Sequence, residues 1–415
     1  MQIIVILATL IVFGMVISIH EIGHFTAAKL CGIKVNKFAI GMGPAIFKKK
    51  GKETEYSVRL LPIGGYCAMG EDDPAGDDPR AFLNKKVWQR MIVITAGAAM
   101  NILLGVVLNL WYVGAYNTFV STEVAGFRPG AASYFSQNGL REGDVVTKIN
   151  GMHIFTNDDM SYKLASSKST KFDVEVKRDG KKVKLDGITF HAEYFYRTVF
   201  ELDVAKYAPC YGYAIETDSY YELSDVPIDN INRVFYYDSE VGEYVRLVFD
   251  NESAEESTEL REFSQTQDFY PLTVNRTLGN MFGHSLKRTV TIGQLVWFSL
   301  IDLVRGEYGI NDMSGPVGVT SVIGEVVSPK IAFKNNFFTV VNIAILITIN
   351  LGIFNLLPFP ALDGGRFVFL LVEGIRGKKI NPEKEGMVHL IGMGVLLLLV
   401  VVITFNDIRK LFTGG

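Results

Sequence analysis

Four stretches of this chain are long and apolar enough to cross a bilayer, which takes about 20 mostly apolar residues. The first spans 1–30 and is uncharged from Gln2 to Ile19. The second, 91–116, and the third, 335–362, carry no charge at all, and the fourth, 386–406, is also uncharged. A further apolar run, Thr289–Ile301, has only thirteen residues free of charge. That is short for a span, so it is expected on the membrane surface or in a re-entrant position, and the amphipathic segment 281–305 is expected to lie on the outer surface. Between the spans the period changes to alternation. Glu55–Leu61 reads as a strand ending in a Pro-Ile-Gly-Gly turn. Phe172–Lys177 and Lys182–Leu185 flank Asp179-Gly180 and predict one hairpin, and Arg233–Tyr237 with Glu243–Phe249 predicts another.

Composition adds bounds. The 415 residues are 48% hydrophobic and 20% charged, which suits a membrane part joined to at least one soluble domain. A net charge of −3 gives no bulk argument for binding nucleic acid, and none is expected as a partner. Cys31, Cys67 and Cys210 make neither a disulfide framework nor a zinc spacing. The first apolar run lacks a basic leader and a small-x-small cleavage site, so it reads as a retained span. The loop 31–90 carries eleven Lys and Arg, and the loop after the third span adds Arg366, Arg376, Lys378, Lys379 and Lys384. Both loops are therefore expected in the cytoplasm, with both termini and the long segment 117–335 outside. The acidic run 71–78 reads as a solvated loop.

The candidate chemistry begins at His20-Glu21-Ile22-Gly23-His24. Histidines at i and i+4 share one helix face and can grip one metal ion, while Glu21 beside them can take a proton from water. Ionisable groups inside a membrane-length helix are costly and usually mark function. The first and third spans both run from outside to inside. Asp363 at the end of the third therefore arrives at the depth of the two histidines. Two His and one Asp would complete the three protein ligands of a catalytic zinc, leaving one open position. Pro358 and Pro360 break the helix just before it, and irregular backbone at that depth needs protein or a wet cavity around it.

These residues resemble the site-2 proteases, the intramembrane zinc metalloproteases, in the bacterial branch that cleaves anti-sigma factors and carries a PDZ domain. The resemblance rests on the segments 20–24 and 355–365, with Ile40–Pro44, Leu61–Tyr66 and Ser314–Gly318, in the family's order along most of the chain. It implies that His20, His24 and Asp363 bind Zn2+, that Glu21 is the general base, and that Asn355 helps hold substrate. We add Asn350, Gly64 and Gly65 to the expected substrate-binding residues. The resemblance also implies that 31–90 forms a membrane-dipping β-hairpin, whose edge strand can pair with an unwound substrate helix.

Arg128-Pro-Gly-Ala-Ala-Ser and the run Gly139–Gly151 resemble a PDZ domain, placed at 120–190. The segment 191–275 is acidic: within 191–270 there are 18 Asp and Glu against 5 Lys and Arg. No chemistry is read there, and 252–262 looks like an exposed loop or helix. His153, His191, His284 and His389 are expected to be surface or packing residues.

The expected architecture is thus a polytopic α-helical membrane protein with four transmembrane helices, a cytoplasmic membrane-associated β-hairpin and an extracytoplasmic mixed α/β PDZ domain. The expected function is zinc-dependent cleavage of single-span membrane proteins near the cytoplasmic end of their helix. Substrates would be anti-sigma factors already trimmed outside, or remnant signal peptides, and membrane lipids would be partners. A non-catalytic PDZ receptor or chaperone is the rival reading, but a scaffold has no need of Glu21, both His and Asp363. A zinc-regulated transporter is a second rival, and four spans without inverted repeats give it little support.

Overall fold

The computed structural model describes residues 2–69, 78–128, 131–136, 138–167, 169–197, 210–214, 219–223, 235–238, 243–250, 260–305 and 333–413. The motif 314–318, nearly all of the run 71–78, residues 129–130 and most of 252–262 lie outside them. The helices are α1 Gln2–Leu30, α2 Val87–Gly114, α3 Ala132–Phe135, α4 Asn157–Ala165, α5 Leu278–Arg305, α6 Phe333–Leu356, α7 Asp363–Arg376 and α8 Pro382–Thr413. Four of them hold membrane-length apolar spans, at Leu10–Leu30, Val87–Gly114, Phe337–Leu356 and Glu383–Asp407. The protein is a multi-pass membrane protein. Its chain divides into two compact units, Met1–Ala115 with Met281–Gly415, and Tyr116–Asn280.

In the first unit, α2 is the helix against which the others pack. Gly97, Asn101, Gly105 and Asn109 recur every four residues and are all buried. That spacing puts them on one stripe. Small residues let helix backbones approach, and amides bond across helices where lipid offers no partner. α6 packs at Gly105, where an added Cβ would meet Ile349. Ile345 and Ile349 of α6 form a core with Ile292 of α5.

α5 is held at Asn109. Its Nδ2 donates to Thr289 Oγ1 at 2.9 Å, and Arg288 donates to Asn109 Oδ1 at 2.6 Å. Arg288 also donates to Asn342 of α6 and stands 4.5 Å over the Tyr112 ring. Another face of α5 keeps Phe282, Val290 and Trp297 exposed. The polar stripe of α5 finds amides and hydroxyls on its neighbours, so Ser285 and Thr289 are buried among helices.

α6 ends at Leu356, six residues before the expected boundary at 362. Pro358 and Pro360 cannot continue it, and the chain reaches Leu362 as irregular backbone before α7 starts at Asp363. Buried Arg90 of α2 donates to buried Glu373 of α7, tying that helix back to the scaffold.

Strands β1 Lys37–Lys50 and β2 Glu55–Ala68 form a sheet folded on itself. The run 45–50 pairs antiparallel with 55–59. The run 37–40 has partners on both sides: Ile40, for example, faces both Gly65 and Val58. The Pro-Ile-Gly-Gly segment, expected to be a turn, therefore continues as strand, and 65–68 forms an edge. The sheet is pinned to the end of α1. Lys29 donates to Glu53 at 2.5 Å and to Thr54 Oγ1 at 3.0 Å, and Arg80 donates to Glu53 at 2.7 Å. Those two cations hold the Glu53 carboxyl down at about 2. Met42, Ile46, Phe47, Leu60 and Leu61 remain exposed beside Lys48–Lys50.

The second unit contains two sheets. β3 Thr118–Phe127, β4 Val145–Ile149, β5 Met152–His153, β6 Phe172–Arg178 and β7 Lys181–Ile188 begin the first. The β6–β7 hairpin closes at Asp179 (φ 49°) and Gly180 (φ 78°), the backbone that Asp-Gly favours. Its core gathers Val146, Met160, Leu164, Phe172, Val176 and Phe190. Asp144 is fully buried and takes a bidentate bond from Arg178, 2.7 Å at both contacts. That contact raises the Arg178 pKa above its usual value.

The chain then makes β8 His191–Arg197, β9 Cys210–Ala214, β10 Ser219–Leu223, β11 Phe235–Asp238, β12 Glu243–Asp250 and β13 Leu260–Thr266. These form a sheet in the order β10-β9-β11-β12-β8-β13, which includes the expected β11–β12 hairpin. Finally β14 Phe269–Asn275 returns to pair with β3. Of the acidic segment 191–275, the part up to β13 thus sits as an insertion within the first sheet's chain path, while 269–275 is a strand of that sheet. Buried Asp268 fixes the return: its carboxylate accepts from Ser133 N at 2.9 Å and Ser133 Oγ at 2.5 Å.

Candidate metal centre

Helical spacing puts His20 and His24 on one side of α1, both buried. The Pro-broken segment after α6 delivers Asp363, the first residue of α7, to the same point. His20 Nε2 lies 3.2 Å and His24 Nε2 3.3 Å from Asp363 Oδ2, and the two nitrogens are 3.1 Å apart. Ligand atoms bound tetrahedrally at about 2.0–2.1 Å sit roughly 3.3 Å from one another. The three donor atoms already have that spacing. Asp363 Oδ2 is also a buried oxygen without a hydrogen-bond donor, the condition expected of a ligand oxygen. Among the described residues, these three are the group that can hold a metal ion.

The walls come from α2. His24 Nδ1 lies 2.8 Å from the Val93 carbonyl. This contact puts the proton on Nδ1 and leaves the Nε2 lone pair free. His20 Nδ1 lies 3.4 Å from the side-chain amide of Asn101. Gly97 faces both rings, and a Cβ there would stand 2.5 Å from His24 Nε2 and 2.8 Å from His20 Nε2. Only glycine lets α2 close over the imidazoles.

Glu21 lies in the electrostatic field of both histidines and Asp363. Gly65 on the sheet edge abuts it, since a Cβ there would be 2.8 Å from Glu21 Cγ. Gly64 takes φ +83° over the Met42 side chain. Asn350 and Asn355 are half-buried on α6, and neither bonds to the three converging side chains. Asn350 Oδ1 is buried without a partner.

Sequence reasoning missed Val93, Gly97 and Asn101, and it assigned His389 to surface or packing. In fact His389 Nδ1 accepts from Ala361 N–H at 2.8 Å. Ala361 has φ +81°, a strained backbone for a non-glycine residue, two positions before Asp363. Only the recurrence of Gly and Asn every four residues in the second span could have signalled the α2 wall.

The model of peptidase family M50 matches residues 8–399. The chain is 33% identical to a zinc-metalloprotease candidate of Clostridium acetobutylicum, over 97% of each chain. It is 27% identical to the regulator of sigma-W protease RasP of Bacillus subtilis, over 98% of this chain and 99% of that one. Identity is 26% to the zinc metalloprotease RasP of Shouchella clausii, with the same coverage. The chain therefore belongs to peptidase family M50, the site-2 proteases, and is a zinc metalloendopeptidase.

Proposed function

We propose that this enzyme cuts single-span membrane proteins within the bilayer, near the cytoplasmic end of their helices. The observation that carries the reading is three donor atoms 3.1–3.3 Å apart at the end of a membrane-length helix. His20, His24 and Asp363 hold zinc. Zinc supplies Lewis acidity there, making water acidic near neutral pH and polarising a carbonyl. Glu21 takes the proton of the attacking water and returns it to the leaving amine. The edge run 65–68 has no second strand partner among the described residues, and it can receive unwound substrate as an added strand. A peptide bond inside a helix is shielded until it unwinds, so pairing there would present it to Glu21. Asn350, Asn355, Gly64 and Gly65 are the substrate-side residues. The exposed apolar residues of β1–β2, with Lys48–Lys50 beside them, suit a hairpin dipping into the cytoplasmic leaflet.

The sheet of β3–β7 and β14 we read as a PDZ domain outside the membrane, with both termini on that side. It binds peptide or filters substrates by size. The substrates proposed are anti-sigma factors already cut outside, in keeping with the name of the Bacillus relative, and remnant signal peptides.

The decisive test is Glu21→Gln in the purified protein. Cleavage of a single-span substrate should disappear while zinc stays bound. Normal turnover by a folded Glu21→Gln enzyme would end this mechanism. Asp363→Asn should lose zinc, whereas Asn355→Ala should keep zinc and cleave poorly. The opposite pattern would reverse the two roles.

A further inference from the structure

The two candidate histidine ligands differ in what holds their outer nitrogen. A neutral imidazole that ligates through Nε2 must carry its proton on Nδ1, and that proton needs an acceptor. His24 has one in the Val93 carbonyl, at 2.8 Å. His20 faces Asn101, whose Nδ2 is placed 3.4 Å from Nδ1. Two donors facing each other cannot bond. With Nδ2 in that place the His20 proton must move to Nε2, the atom aimed at Asp363, and Nε2 cannot then ligate.

Asn101 also carries the remedy. It is completely buried, and its Oδ1 has no hydrogen-bond partner. The amide oxygen and nitrogen are nearly identical in shape, so rotating the group exchanges them without moving the helix. Thr348 of α6 donates to the Asn101 backbone carbonyl at 3.2 Å, which fixes this point of α2.

We propose that Asn101 is the positioning residue for His20: its Oδ1 accepts from Nδ1–H and so frees Nε2 to hold zinc. The inference rests on the reading of His20, His24 and Asp363 as ligands. Asn101 touches neither substrate nor metal, and its effect passes through the tautomer and orientation of one imidazole. α2 thereby serves both histidines, one through a carbonyl of the backbone and one through a carbonyl of a side chain.

The test is zinc affinity of the full-length protein in detergent, read by competition with a chelator and independent of peptide cleavage. Asn101→Leu keeps the size and removes the acceptor, so affinity should fall about 10–100-fold. Asn101→Ala should fall similarly and serves if the leucine variant does not fold. Asn101→Asp offers an oxygen in either rotamer and should hold zinc at least as tightly as the parent. A purely structural role would not be rescued by Asp. Parent-like affinity in both Asn101→Leu and Asn101→Ala, or equal losses in Asp and Leu, would overturn the proposal. Asp363→Asn and His20→Ala separate the underlying reading: if both keep parent affinity, the ligand assignment itself is wrong.

Discussion

Helices α2 and α8 look alike by hydropathy and differ in what they do. Both are long and strongly apolar. Yet about a third of the apolar stretch of α2 is buried within the protein, against 6% for α8. The difference lies in side-chain size. α2 turns Gly97, Asn101, Gly105 and Asn109 toward its neighbours, while α8 presents Leu390, Leu397, Leu398 and Val401 outward. In lipid, apolar bulk gives no drive for helices to associate, because the tails are as apolar as leucine. Close approach and cross-helix hydrogen bonds do, and α2 has both.

The largest effect is therefore expected at Gly97. A single methyl, Gly97→Ala, places a carbon 2.5 Å from His24 Nε2 and must push the rings from their shared focus. Zinc affinity should fall about 100-fold, the upper end of what disturbed ligand orientation costs. Metal content of the purified variant checks this. Full zinc in Gly97→Ala would mean that α2 does not shape the centre.

Asn109→Leu comes next. It removes the acceptor of Arg288 and the donor to Thr289, leaving the guanidinium with Asn342 and Tyr112. Interhelical bonds in membranes contribute about 1–2 kcal/mol at most, and a loss of that order in unfolding from mixed micelles is expected. Zinc binding should be nearly unchanged, because the site lies two turns away, at Gly97 and Asn101. A zinc loss as large as that of Gly97→Ala would show that the stripe acts as one unit rather than as separate contacts.

What the sequence reveals follows the same division. His20 and His24 are legible because helical geometry alone fixes their relation. The meeting of Asp363 with them follows at one remove, from an expected orientation of the spans read from charge bias and from counting them. The α2 wall is not legible, because its meaning depends on His20, Ile349 and Arg288, which are far away in the chain. β14 escaped for a related reason: it looks like the end of the acidic segment and becomes a sheet strand only when paired with β3. Ala361 and His389 share the problem, since a strained turn and its support come from different helices.

α8 gives the sharpest contrast and the smallest effects. It meets the site loop at Gly392, where an added Cβ would stand 2.4 Å from Pro360 Cβ, and at His389 on the Ala361 N–H. Leu398 is 65% exposed and should face lipid. Leu398→Ala should change stability by less than about 0.5 kcal/mol, as exposed substitutions do. His389→Leu should cost more, despite being more apolar, because it leaves the partly buried N–H of the strained Ala361 without its acceptor. The effect expected is a severalfold drop in kcat with zinc affinity nearly retained, since Asp363 is still drawn to the metal by its charge. Measuring both variants side by side tests whether α8 acts through one polar contact or through its whole length. If Leu398→Ala proves as harmful as His389→Leu, α8 is packed like α2, and burial rather than hydrogen bonding joins it to the site.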